Sequence, residues 1–331
     1  MTDTGAWPRW NTCAEAGWSA EALAAARAYA ATIRTSAAML VAGGRVVDAW
    51  GETARRWNVH SIRKSLLGAL IGIHEAQGRF DLETKIGALG IDDRQGLTPR
   101  EKLATLHDLL TARSGVYHPS GYETDWMVAI KPVRGSVGPG TTWCYNNWDF
   151  NALGTAFRRL CAPDIHADFA ARIALPCGME DFRPQTDAAL IDLPASDHPA
   201  YPFRMTARDL ARFGELFLRG GRCDGREIVP AAWVAASVLP YSEAGVRGAY
   251  GYLWWVARAG ILFPNVIVPP GTYAACGAGG HYVVVLPALD AVFVHRVDTD
   301  APAEEVTAAQ FGRLLRLVIE AAPPARRGAG A

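Results

Sequence analysis

The apolar positions along the chain fall into three regimes. Residues 19–33, "SAEALAAARAYAATI", repeat with helical spacing behind a serine, so a helix capped by Ser19 is expected, with alanine supplying the propensity. Residues 37–51, "AAMLVAGGRVVDAWG", are two apolar runs joined at Gly43-Gly44, the signature of a β-hairpin with positive φ at its turn. From about Leu66 to Gly221 the pattern is mainly helical. "TLHDLLTARSG" runs from a threonine cap to a glycine stop, and "WDFNALGTAFRRLC", "HADFAARIALPCG" and "TARDLARFGELFLRGG" follow with the same period. Residues 116–143, rich in Gly, Pro and aromatics, read as a long ordered loop, a kind of segment that often carries function. Beyond about residue 245 the pattern turns to strands: "AYGYLWWVAR", "GILFPNVIV", "GTYAACG", "HYVVVLP" and "AVFVHRV", an antiparallel meander with a turn at 287–290. A final helix over 303–322, "AEEVTAAQFGRLLRLVIEAA", follows, and the tail "PPARRGAGA" is expected to fray.

These regimes predict an α/β fold with an inserted all-α part, an antiparallel sheet flanked by helices. Residues 1–65 and 225–331 would form the sheet domain and 66–224 the mainly helical one, with a small-molecule site in the cleft between them. Composition narrows the function. Lys plus Arg and Asp plus Glu number 33 each, so no global field draws the chain to nucleic acid or an anionic membrane. The N-terminus lacks the basic and apolar regions of a signal peptide, and no uncharged stretch is long enough to span a bilayer. The six cysteines, at 13, 144, 161, 177, 223 and 276, show no metal-ligand spacing and read as buried thiols, and the eight histidines form no metal motif. A cytoplasmic protein without metal or cofactor is expected. Its oligomeric state is not readable.

Three segments carry candidate chemistry. In "WNVHSIRKSLLGALIG", Ser61 and Lys64 stand three apart where an apolar helix begins, which puts both on one face. A serine hydroxyl needs its proton removed, and a lysine with a lowered pKa can remove it. The same spacing also occurs in ordinary amphipathic helices. In "PGTTWCYNNWDFNALG", Tyr145 near a lysine ammonium would shift towards phenolate and share the base role, with Asn147 positioning lysine and substrate. The plainer alternative is a helix cap beside a packed aromatic. In "YAACGAGGHYVVVLP", Gly277 lets a strand approach a substrate, and a neighbouring N–H would pair with that of Ser61 as an oxyanion hole. A simple hairpin turn is the alternative here. A dinucleotide loop is excluded, because the third glycine is missing and a strand follows.

Together and in this order the three segments resemble the serine β-lactamase and penicillin-recognising hydrolase superfamily, nearest its class C branch with Tyr-x-Asn, the β-lactamase-like esterases and the nylon-oligomer amidases. The resemblance implies Ser61 as nucleophile, Lys64 as its base partner, Tyr145 as general acid/base and Asn147 as a positioning residue. It also implies Gly277 as the glycine of the third motif, and the N–H groups of Ser61 and Ala278 as the oxyanion hole. No cofactor is implied. The third motif departs from the family pattern, because Cys276 stands where a cation receives a substrate carboxylate. That points away from true β-lactams and towards a small neutral ester or amide. Arg296 and His281 are the candidates to replace the missing cation, against the plainer readings of a solvated arginine and a strand-face histidine. Tyr117, Tyr122 and Trp126 are candidate substrate contacts, with His281 beside them. The expected function is a serine esterase or amidase. The alternatives are an acyltransferase of the same fold using an amine or alcohol acceptor, and a non-catalytic penicillin-sensor-like binding protein.

Overall fold

A computed structural model describes residues 7–187, 189–301 and 305–324. The expected final residues 325–331 of the tail lie outside that range. Eight antiparallel strands form one sheet: β1 (Ala37–Ala42), β2 (Arg45–Gly51), β3 (Ser242–Glu243), β4 (Ala249–Tyr250), β5 (Trp255–Val256), β6 (Tyr273–Gly277), β7 (His281–Leu286) and β8 (Ala291–Arg296). Their order is β2-β1-β8-β7-β6-β5-β4-β3, so the N-terminal hairpin pairs with the last strand, Ala37 opposite Arg296. The hairpin turns at Gly43 and Gly44, both at positive φ.

Every residue of β1, β7 and β8 is buried, because helices cover both faces. On one face α5 (Ala207–Leu218) comes so close that a Cβ on Gly214 would sit 2.5 Å from Val292 and 3.0 Å from Val283. This helix falls within 66–224, yet it packs on the sheet. On the other face α6 (Ala308–Glu320) stacks Phe311 on Tyr282, ring centres 3.9 Å apart, and its Arg313 lies over Tyr29 of α1 (Ala20–Ala30). Ser19 caps α1 by accepting from the Ala22 N–H at 3.2 Å.

The helix that follows the Ser-x-x-Lys serine, α2 (Ile62–Glu75), is not amphipathic. Each residue from Ile62 to His74 is buried, so it forms an axle between the sheet and the helical part. Burying Leu66, Leu67, Leu70 and Ile71 contributes about 1.5–3 kcal/mol per side chain. Gly72 makes room for the Trp233 ring, 2.2 Å from where a Cβ would stand, while the Trp233 indole N–H donates to the Gly68 carbonyl at 2.9 Å. Ahead of α2, Trp57–Asn58 pairs with Arg204–Met205 as a separate two-stranded ribbon.

Some expectations need correction. Residues 260–268 form no strand. Pro264 and the left-handed Asn265 (φ 66°) interrupt the run, and the apolar residues Leu262, Phe263, Val266 and Val268 are buried individually. "AYGYLWWVAR" is split into β4 and β5, with Leu253 at φ 63° and Gly251 pressed against the Ser237 carbonyl. The loop at 116–143 holds one short helical turn, α3 (Asp125–Ala129), capped by Thr124. Two cysteines are not thiols: Cys177 and Cys223 form a disulfide, leaving Cys13, Cys144, Cys161 and Cys276 free. No helix among the described residues is long and apolar enough to cross a membrane.

Candidate active site

Ser61 sits immediately before α2 with helical φ and ψ, and its hydroxyl makes no capping bond. Oγ instead accepts from Lys64 Nζ at 2.6 Å. The preceding residue, His60, has a left-handed backbone (φ 49°), uncommon for a side chain of that size. It is held there at both ends. The His60 N–H donates to Asn58 Oδ1 at 2.9 Å, and Thr299 Oγ1 bridges the Nε2 atoms of His60 and His281 at 2.8 and 3.1 Å. Burial and the Arg296 guanidinium lower His60 to about 4, so it is a neutral structural group.

Lys64 is 1% exposed and, among the described residues, faces no carboxylate. Its ammonium nitrogen lies 4.9 Å from the Tyr145 ring centre and 4.8 Å from that of Phe150. Burial, reinforced by the Arg63 cation, lowers its pKa well below the usual amine range. Tyr145 moves the other way. Burial raises it to about 12, while a hydrogen bond with Ser61 and the Arg247 and Arg63 cations pull against that rise. Burial thus works against the phenolate expectation, because it disfavours the charged form of both the amine and the phenol.

Asn146 caps helix α4 (Asn147–Leu160), accepting from the Asp149 N–H at 3.1 Å, so the cap reading of this segment holds. Asn147 donates through Nδ2 to the carbonyls of Gly121 and Tyr122 at 3.1 and 2.7 Å, pinning the long loop beside the serine. Those two acceptors fix the amide orientation, and Oδ1 remains buried with no donor among the described residues.

Gly277 ends β6 where a Cβ would stand 2.5 Å from the Val59 carbonyl oxygen and 3.3 Å from the His60 Cβ. Only glycine lets this strand meet the segment leading to the serine, and the contact brings Ala278 to the wall opposite Ser61. Two cavities meet there. One, about 250 Å³, is lined by Tyr145, Trp126, Trp255, Arg247, Cys276 and Gly277; the other, about 310 Å³, by Lys64, Arg63, Asn147, Tyr122, Glu123 and Pro202. Both include Ser61 and Ala278.

Trp126 and Tyr122 thus line the cleft. Tyr117 does not: it is 7% exposed, lies outside both cavities, and its hydroxyl finds no partner among the described residues. His281 and Arg296 are also misassigned. Both are fully buried. The Arg296 guanidinium donates to His281 Nδ1 at 2.9 Å and to the carbonyls of Trp57, Asn58 and Met205 at 3.1, 3.0 and 3.2 Å. Their work is to clasp the ribbon ahead of Ser61. A cation that reaches the aromatic side of the cleft is Arg247, which the sequence reading missed. It lies over Trp255 at 4.7 Å and Trp126 at 5.4 Å, close enough to Cys276 to act on its thiol. Its Gly-Val-Arg-Gly loop carries no signal of that position. Among the described residues no group of three or more His, Cys, Asp and Glu side chains is placed to hold a metal ion.

Solved structures share this architecture at low sequence identity. A protein described as a 6-aminohexanoate-dimer hydrolase from Bacillus anthracis is 20% identical with a TM-score of 0.64, covering 89% of this chain and 81% of its own. EstCE1, a hydrolase with promiscuous acyltransferase activity, is 15% identical at TM-score 0.66 over 92% and 98%. A penicillin-binding protein from Bacillus halodurans is 16% identical at 0.63 over 88% and 98%. No curated protein matched significantly. Residues 20–316 match the family described as Beta-lactamase, and with that span the chain belongs to it.

Proposed function

We propose that the protein is a serine hydrolase that cleaves a small ester or amide through an acyl-enzyme on Ser61. The observation that carries this reading is the 2.6 Å contact between Ser61 Oγ and a buried Lys64 with no counter-charge. A neutral amine at that distance takes the hydroxyl proton as Oγ attacks the substrate carbonyl. The N–H groups of Ser61 and Ala278, from opposite walls, receive the charge that develops on the carbonyl oxygen. Tyr145, still a phenol and hydrogen-bonded with Ser61, gives its proton to the leaving group and recovers one from the Lys64 ammonium. Water then attacks the ester, Lys64 again accepts the proton, and it passes that proton to the departing Ser61 Oγ as the acid is released. Cys276 supplies no cation for a β-lactam carboxylate, which supports an esterase or amidase over a true β-lactamase.

A second reading, transfer of the acyl group to an amine or alcohol, is favoured by the aromatic lining of the Tyr145 side, where Trp126 and Trp255 disfavour water. Product analysis with added acceptors separates the two. The test of the first is a fluorophosphonate probe, which should label the native chain and fail to label Ser61→Ala. Equal labelling of both removes Ser61 as the nucleophile.

A further inference from the structure

Arg63 lies inside the Ser-x-x-Lys segment; its charge reinforces the lowering of the Lys64 pKa, but its side chain takes no part in the proton transfers. It is 4% exposed. Its Nη2 donates to Asn151 Oδ1 at 2.7 Å, and the guanidinium carbon lies 4.1 Å from the centre of the Tyr201 ring. Nη1 has no hydrogen-bond partner among the described residues, and no carboxylate lies within ion-pair distance of the group. The acid that shares its cavity, Glu123, is already committed: it pairs with Lys131 at 2.5 Å and accepts from the Ser120 N–H at 3.2 Å. Arg63 therefore lines this cavity with a guanidinium whose Nη1 is buried and unpartnered among the described residues. Desolvating a guanidinium without a counter-ion is costly, and an anion arriving at Nη1 recovers that cost as binding.

The cavity holding Arg63 lies on the acyl side. Tyr145 lines the other cavity, so the leaving group that it protonates departs there and the acyl group occupies the Lys64 and Arg63 side. This assignment rests on the serine hydrolase reading. One free nitrogen suits a singly charged oxyanion, and the volume of about 310 Å³ suits a short chain. We infer that the preferred substrate carries a carboxylate at the far end of a short acyl group, seated on Nη1 of Arg63. The substrate is then a half-ester or half-amide of a dicarboxylic acid. Ser61 displaces the alcohol or amine, which leaves with a proton, and water cleaves the acyl-enzyme to release the dicarboxylic acid. The carboxylate is thus held beside the serine helix, whereas the third motif, at Cys276, offers no cation for one.

The test uses p-nitrophenyl monoesters of succinic, glutaric and adipic acids beside their methyl-capped counterparts, with spontaneous hydrolysis subtracted. For the wild type, kcat/KM should favour the free carboxylates by about tenfold or more. Arg63→Gln should collapse that ratio towards one, whatever happens to the absolute rates, and Arg63→Lys should restore part of it. A wild type that prefers the capped esters, or a ratio that survives Arg63→Gln, overturns the inference. Glutarate binding to Ser61→Ala, measured calorimetrically with and without Arg63→Gln, gives a readout independent of turnover. Binding that requires Arg63 upholds the inference, and no binding overturns it. Fluorophosphonate labelling without carboxylate preference sinks this inference alone. Arg63-dependent glutarate binding without acylation of Ser61 sinks the hydrolase reading alone.

Discussion

Lys64 Nζ lies 4.9 Å from the centre of the Tyr145 ring, with Ser61 Oγ 2.6 Å from the same nitrogen. Burial moves the two groups in opposite directions, the amine down and the phenol up to about 12. Activity needs the neutral amine, so kcat/KM should rise once as pH passes the lowered Lys64 pKa. It should then stay level until the Tyr145 phenol ionises near 12. A pH–rate profile on an unactivated ester checks this. A falling limb at neutral pH would show that Tyr145 does not stay protonated.

Tyr145→Phe removes the proton donor while leaving the nucleophile and its base in contact. Turnover of a substrate with a poor leaving group should drop by about 10²–10⁴-fold. A p-nitrophenyl ester, whose leaving group needs little protonation, should lose less. Parallel assays of the two substrates read the difference directly.

Gly277→Ala would set a methyl group 2.5 Å from the Val59 carbonyl oxygen, and that backbone cannot yield without moving His60 and Ser61. The strand end and the serine should separate, costing about 10²-fold in kcat, the scale of one lost oxyanion donor, with a smaller change in KM. Steady-state kinetics and a thermal melt on the same preparation distinguish a displaced site from an unfolded one.

Arg296→Met should leave the carbonyls of Trp57, Asn58 and Met205 without their donor. A buried carbonyl left unsatisfied costs about 1–3 kcal/mol, so the loss in urea denaturation should reach about 3 kcal/mol or more. Fluorophosphonate labelling should slow as well, since these atoms hold the ribbon that delivers Ser61.

Thiol titration of the native protein after denaturation without reductant should find four cysteines, not six. The Cys177–Cys223 bond closes a separation of 46 residues, and reducing it should lower stability by about 2–4 kcal/mol. Denaturation curves with and without dithiothreitol measure the change.

Much of this was legible in the sequence where a period or a motif carries it. Ser19 before an alanine-rich run and the Gly43-Gly44 turn are local signals, and the structure keeps both. Ser61, Lys64 and Tyr145 stand in recognisable segments, and the fold brings them together. Arg296 and His281 were misread because an apolar strand shows alternation but not what covers each face, and here both faces are covered. Arg247 was missed because a loop residue has no period at all, only a position fixed by Trp126 and Trp255 far along the chain. The disulfide was missed for the same reason. The rise of the Tyr145 pKa was not legible either, because it comes from burial, which a motif does not encode.

The pairing of Ala37 with Arg296 has a consequence for biosynthesis. During synthesis the hairpin at 37–51 is made well before residues 291–296, and it must wait for them before it finds its neighbour. Meanwhile α2, greasy on every side, has neither the sheet nor Trp233 to shelter it. Truncated or stalled translation products should therefore be sticky rather than merely inactive, and folding assistance should matter most just before the final strand is made.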